Sequence, residues 1–133
     1  MILLDTHVLI WMRAGNGKLG VKARKAIERA HLQNQVLVSA ISFWEVAMLD
    51  AANRVNIKMG VSRWRQRILE DGVREVAMDG EIGIRASELL SSHPDPADHM
   101  IVATAQQASA RLCTADGALL RMKLPVSTID ATR

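Results

Sequence analysis

Cysteine is almost missing from this chain. Cys113 stands alone among 133 residues. A single thiol excludes an internal disulfide. Its place in the short apolar run Leu112-Cys113-Thr114 reads as a small buried strand residue rather than a thiolate nucleophile. Such a chain suits a reducing compartment, and the cytoplasm is the expected location. Tyrosine is absent and phenylalanine occurs once. An RNA-binding sheet that stacks bases on its aromatic surface is therefore not expected. Long apolar runs are also wanting, and no uninterrupted stretch reaches the roughly 20 residues of a membrane-spanning helix. Asp5 interrupts the apolar segment near the start, and no basic segment precedes it. A signal peptide and a membrane partner are both unexpected. The four histidines, His7, His31, His93 and His99, show no transition-metal ligand spacing.

What is present is apolar and mildly basic. Hydrophobic residues make up 49% of the chain, enough to build a core and to argue against disorder. The length suits a single domain spanning 1–133. A formal net charge of +3 fits an anionic partner without demonstrating one.

Short apolar runs alternate with helical patterns. Residues 1–4 read as a strand that is apolar on both faces, the mark of a central parallel strand. Further strands are expected at 35–38, 73–77, 111–114 and 126–128. Helices are expected at 7–13, 20–31, from Ser39 or Ser42 to 52, at 61–69, 79–90 and 97–110. The segment Ser91-Ser92-His93-Pro94-Asp95-Pro96 breaks the helical pattern. This alternation predicts an α/β fold with a parallel or mostly parallel sheet covered by helices.

Four acids occupy comparable places in that pattern. Asp5 and Asp116 follow strands directly, where open α/β sheets bind ligands. Glu45 shares a helical face with Ile41, Met48 and Leu49, and Asp98 with Ile101 and Val102. An acid on an apolar face is costly unless it is paired or bound to metal. Each has an ordinary alternative. Asp5 and Asp116 suit turns, Asp98 suits the first turn of a helix, and Glu45 could pair with an arginine. Asp95, between two prolines, is a weaker candidate. Gathered together, four carboxylates would repel one another unless a hard cation such as Mg²⁺ or Mn²⁺ lay between them. With the basic surplus, this points to a metal-dependent enzyme acting on a phosphodiester.

Four segments carry a more specific signal: Leu3-Leu4-Asp5-Thr6-His7, Ser42-Phe43-Trp44-Glu45-Val46-Ala47, Asp95-Pro96-Ala97-Asp98-His99-Met100-Ile101-Val102-Ala103-Thr104-Ala105, and Leu112-Cys113-Thr114-Ala115-Asp116. In order and spacing they resemble the PIN-domain ribonucleases, in particular the VapC-like toxins of bacterial toxin–antitoxin pairs. The resemblance implies a PIN-like three-layer fold. It also implies a metal-dependent endoribonuclease leaving a 5′-phosphate and a 3′-hydroxyl. Asp5, Glu45, Asp98 and Asp116 would be the metal-binding and catalytic quartet, with Thr6 and Thr114 as the small hydroxyl residues beside the first and last acids. Asp5 and Asp98 would be the core ligands of Mg²⁺ or Mn²⁺. The implied partners are an RNA substrate, a cognate VapB-like antitoxin and a second copy in a homodimer. Two positions depart from the pattern. His99 stands where the family usually has arginine, and Leu119 stands where some members have a further acid or amide. The second departure keeps open a degenerate PIN-like module that binds RNA or protein without cutting. A phosphatase or phosphotransfer domain would need a nucleophilic aspartate with a lysine-type partner, an arrangement not seen here.

Lys22, Lys25 and Arg29 share one helical face, as do Arg63 and Arg67. Either face could hold an RNA backbone or simply be solvated. Trp11, Trp44 and Trp64 fall in helical patterns and read as packing residues. Trp11, Ile57 and Trp64 are secondary candidates for an interface.

Overall fold

The computed structural model describes residues 1–89 and 93–133. Five strands form one parallel sheet: β1 Ile2–Leu4, β2 Val36–Ser39, β3 Arg74–Val76, β4 Arg111–Thr114 and β5 Thr128–Asp130. Their spatial order is β3-β2-β1-β4-β5. The helices are α1 Thr6–Ala14, α2 Val21–Leu32, α3 Ala40–Ala51, α4 Val61–Glu70, α5 Gly80–Glu88, α6 Pro96–Gln107 and α7 Gly117–Arg121.

The apolar run at the start becomes the middle strand because both its faces are covered. Ile2 and Leu4 point to one side, where they pack with Val8 and Leu9 of α1, Ile27 of α2 and Ile68 of α4. Leu3 points to the other side, against Ile101, Val102 and Ala105 of α6. Period-two alternation along the strands thus feeds two separate helical layers. The result is the three-layer α/β architecture. A smaller cluster of Ile82, Ala86 and Ala103 locks α5 onto α6.

β1 pairs with β2 on one side and with β4 on the other. The chain builds outward through β2 and β3, then crosses to β4. The strand order therefore reverses beside β1, and the crevice beyond the carboxyl ends of β1 and β4 is the switch point where such sheets bind ligands.

Several boundaries differ from the sequence expectation. The last strand lies at Thr128–Asp130 rather than 126–128. Ser127 still offers its carbonyl to Leu112 N–H at 2.9 Å, but Val126 turns into the layer of α6. α7 was not expected. Its five residues are too few for a hydrophobic period, and its start depends on Asp116. The helix expected at 79–90 is seen to Glu88; Leu90, and Ser91 and Ser92 of the expected break, lie outside the described residues. Trp64 is 5% exposed and meets Phe43 edge-to-face at 6.1 Å, so it belongs to the core and not to an interface. Trp44, expected to pack, is instead 55% exposed beside exposed Met48. No helix among the described residues is long and apolar enough to cross a membrane.

Candidate active site

Asp5, Glu45, Asp98 and Asp116 line one cleft of about 350 Å³ at this switch point. Each arrives on a different element. Asp5 is both the residue after β1 and the N-cap of α1. Glu45 lies mid-way along α3, which Ser39 starts by accepting a bond from Ile41 N–H. Asp98 sits in the first turn of α6, behind the N-cap Asp95 and Pro96. Asp116 follows β4 and caps α7, accepting from Ala118 and Leu119 N–H. Asp95, His7 and Trp11 also reach the cleft wall.

Hydroxyl and backbone donors fix these carboxylates. Thr6 N–H donates to Asp5 Oδ1 at 2.8 Å, and the Thr114 hydroxyl donates to Asp5 Oδ2 at 2.6 Å. The Thr6 hydroxyl donates to Glu45 Oε1 at 2.5 Å, with Ser42 Oγ 2.9 Å from the same threonine oxygen. The hydroxyls flanking the first and last acids thus orient acids. His93 Nε2 lies 2.7 Å from Asp98 Oδ2.

Burial and mutual repulsion make the cluster unhappy with its own charge. Burial raises the Asp5 carboxyl above its ordinary value, partly offset by its bonds from Thr114 and Thr6. Burial pushes Glu45 up to about 7 against the Thr6 bond, and the charges of Asp5, Asp95 and Asp98 add to the rise. Asp98 is pushed up to about 6, again by burial first, with the bond from His93 opposing it. A divalent cation would relieve all three, and clustered carboxylate oxygens are the donors that Mg²⁺ and Mn²⁺ prefer. Of the four acids, Asp98 and Asp116 belong to a group of donor atoms close enough to share such an ion, while Asp5 and Glu45 line the same cleft outside that group.

His93 is the neighbour of these acids that sequence reasoning missed. Its ring nitrogen, an Asp98 oxygen and an Asp116 oxygen all lie within 4.8 Å of one another. No spacing rule signals it, because the loop before α6 folds back to bring it there. His99 packs locally: Nε2 lies 2.8 Å from the His93 carbonyl and Nδ1 3.3 Å from that of Ala86. Leu119 is fully buried among Leu3, Leu112 and Ile101, so it supplies no donor. Burial pushes the Cys113 thiol up to about 12, which leaves it inert as a nucleophile.

Basic residues are set back from the acids. Lys22, Lys25, Arg29, Arg63 and Arg67 are exposed, and none lines the cleft. Arg54 was not singled out in the sequence. It lines a shallow depression that shares His7, Glu45 and Asp95 with the cleft and is flanked by Trp44. A depression of similar size, about 360 Å³, lies at the opposite end of β2 and β3 near Ile27, Val36 and Val73. Its Asp71 is already paired with Arg13 at 2.6 Å, so it gathers no free acid cluster.

Known proteins share both sequence and architecture with this chain. Residues 2–124 match the PIN domain. Ribonuclease VapC22 of Mycobacterium tuberculosis is 38% identical over 125 residues, covering 93% of each chain. Among solved structures, VapBC2 from Rickettsia felis bound to a promoter DNA fragment superposes with a TM-score of 0.71 at 14% identity, covering 97% of this chain and 98% of that one. A toxin–antitoxin complex from Klebsiella pneumoniae gives 0.67 at 22% identity, covering 96% and 97%. The domain match across most of the length, together with a relative well above 30% identity, places the chain in the PIN-domain family, among the VapC-like proteins.

Proposed function

We propose that this chain is an endoribonuclease toxin that hydrolyses RNA phosphodiester bonds with the help of Mg²⁺ or Mn²⁺. One observation carries the reading. Four carboxylates from four separate elements meet in a single cleft at the sheet's switch point. The 38% identity to a ribonuclease supports the substrate class. The whole chain of 1–133 acts as one domain.

Asp5, Asp98 and Asp116 would hold the ion, with Glu45 either joining them or facing the attacking water. The ion, when bound, supplies a Lewis acid that offsets phosphate charge and acidifies water. The chain's own groups do the rest. Thr6 and Thr114 keep Asp5 in one orientation, which preorganises the site. Thr6 also steers Glu45, whose free oxygen can align water for attack on phosphorus. His7 and Arg54 at the rim are placed to meet the RNA backbone through salt-dependent contacts. A VapB-like antitoxin restrains the activity, and the toxin works as a homodimer.

Cleavage of a structured RNA, with and without Mg²⁺ or Mn²⁺, tests the proposal alongside Asp5→Asn. Cutting should require the metal and largely vanish in the variant. Undiminished cutting by Asp5→Asn would remove the catalytic assignment. If neither protein cuts and both bind RNA equally, the chain is a binding module instead.

A further inference from the structure

We propose that His93 is a nitrogen ligand of the cation in this cleft and biases the site toward Mn²⁺ over Mg²⁺. The inference rests on the reading of the cleft as a divalent-cation site. It extends that reading to a residue outside the four acids.

Position is the first ground. The His93 and Asp98 side chains are only 10% and 12% exposed and touch at 2.7 Å. The imidazole therefore does not stand off in solvent. With an oxygen of Asp116, its nitrogen completes a set of three donor atoms within 4.8 Å.

Tethering is the second ground. His93 precedes Pro94, and Pro96 follows two residues later, so the backbone leading into α6 has few conformations. Its carbonyl faces His99 Nε2 at 2.8 Å, and the other nitrogen of His99 faces the Ala86 carbonyl of α5 at 3.3 Å. Neutral His99 has one N–H, and placed on Nε2 it donates to the nearer carbonyl and fastens the His93 backbone to α6. A solvent-facing histidine would need no such anchoring. This gives His99 a positioning role through the main chain of His93.

Donor count is the third ground. Leu119 is fully buried in the core and brings no oxygen to the site. His93 instead brings a nitrogen within 4.8 Å of an Asp98 oxygen and an Asp116 oxygen. Mg²⁺ strongly prefers oxygen donors and retained water, whereas Mn²⁺ accepts imidazole more readily. One imidazole among carboxylates should therefore favour Mn²⁺.

Calorimetric titration of the wild-type chain and His93→Gln with MnCl₂ and with MgCl₂ tests this directly. The substitution should weaken Mn²⁺ binding by about tenfold or more and Mg²⁺ binding by less than about threefold. Pulsed paramagnetic resonance of the Mn²⁺-loaded wild type should show coupling to an imidazole ¹⁴N. That coupling should persist in His7→Gln and disappear in His93→Gln. A wild type that binds both ions without nitrogen coupling overturns the role of His93 and leaves the carboxylate site standing. Equal losses for the two ions overturn the selectivity. A wild type that binds neither ion overturns the metal reading together with this inference.

Discussion

Thr114 donates its hydroxyl to Asp5 Oδ2 at 2.6 Å, tying the ends of two adjacent strands 109 residues apart in sequence. Both residues are buried, and Asp5 N–H also donates to the Cys113 carbonyl at 2.9 Å. The strand pairing that makes the sheet therefore also aims the first acid. Thr114→Val keeps the shape and removes both the donor to Asp5 and the acceptor of Asp116 N–H at 3.0 Å. It should cost about 1–2 kcal/mol of stability by leaving a buried acceptor short of a partner. It should also weaken Mn²⁺ binding by about tenfold, as loss of a ligand's orienting partner does. Denaturant unfolding and calorimetry measure the two effects separately. Unchanged metal affinity would show that Asp5 and Asp116 hold their places without Thr114.

Asp116 has a structural task and a proposed chemical one, and two substitutions separate them. Its Oδ1 accepts from Ala118 N–H at 2.8 Å and Leu119 N–H at 3.3 Å, starting α7. Asparagine caps helices about as well as aspartate does. Asp116→Asn should thus keep the melting temperature while lowering metal affinity at least about tenfold. Asp116→Ala should lose both, with Tm down by about 4 °C for about 1 kcal/mol of lost cap. If Asp116→Asn binds Mn²⁺ as tightly as wild type, Asp116 is a cap alone.

Those two residues mark where the sequence was readable. Asp5 and Asp116 each follow a short apolar run, and such a run in an alternating β/α pattern has to be a buried strand whose end opens on the ligand edge. The central place of β1 was legible for the same reason. The five residues of α7 carry no period, so nothing local announced them. The tryptophans were harder because all three lie in helical patterns. Trp64 is enclosed by Phe43 and the sheet while Trp44 faces out, and which helical face is covered depends on the neighbouring elements. Glu45 shows the same limit: Met48, counted on its apolar face, is 53% exposed, so the acid sits at the boundary of a packed face. His93 reaches Asp98 only through the fold of a proline-bracketed loop, which no spacing rule encodes.

Gly20 is required by close approach, not by backbone freedom. Its N–H donates to the Ala131 carbonyl at 2.8 Å, and Lys22 N–H donates to the Arg133 carbonyl at 2.8 Å. A Cβ at position 20 would lie 2.2 Å from the Arg133 carbonyl carbon. Gly20→Ala must push this backbone off the start of α2, at a cost of about 1–3 kcal/mol. The control is Gly17→Ala, where a Cβ meets nothing within 4 Å, and its effect should stay within about 0.5 kcal/mol. Hydrogen exchange should find the amides of residues 20 and 22 deprotected in Gly20→Ala. Wild-type protection there would mean that this contact adds nothing to stability.

Glu45 should make the metal-free protein less stable as pH rises. Its carboxyl is pushed up to about 7 from an ordinary 4.5, chiefly by burial. Between those values the folded chain keeps a proton that the unfolded chain has released, so folding binds protons and stability declines with increasing pH. Above about 7 both states are ionised and the full penalty is present. Asp98 acts in the same direction between 3.8 and about 6. In a chelator, wild type should melt lower at pH 8 than at pH 5. Glu45→Gln removes one share of that penalty. It should melt about 3 °C above wild type at pH 8 and nearly level with it at pH 4, where glutamate is mostly neutral in both states. Mn²⁺ at pH 8 should narrow the gap by stabilising the wild type more than the variant, since the cation offsets the same repulsion. A difference in Tm between the two proteins that stays constant from pH 4 to pH 8 would mean that Glu45 carries no strained charge in the folded chain.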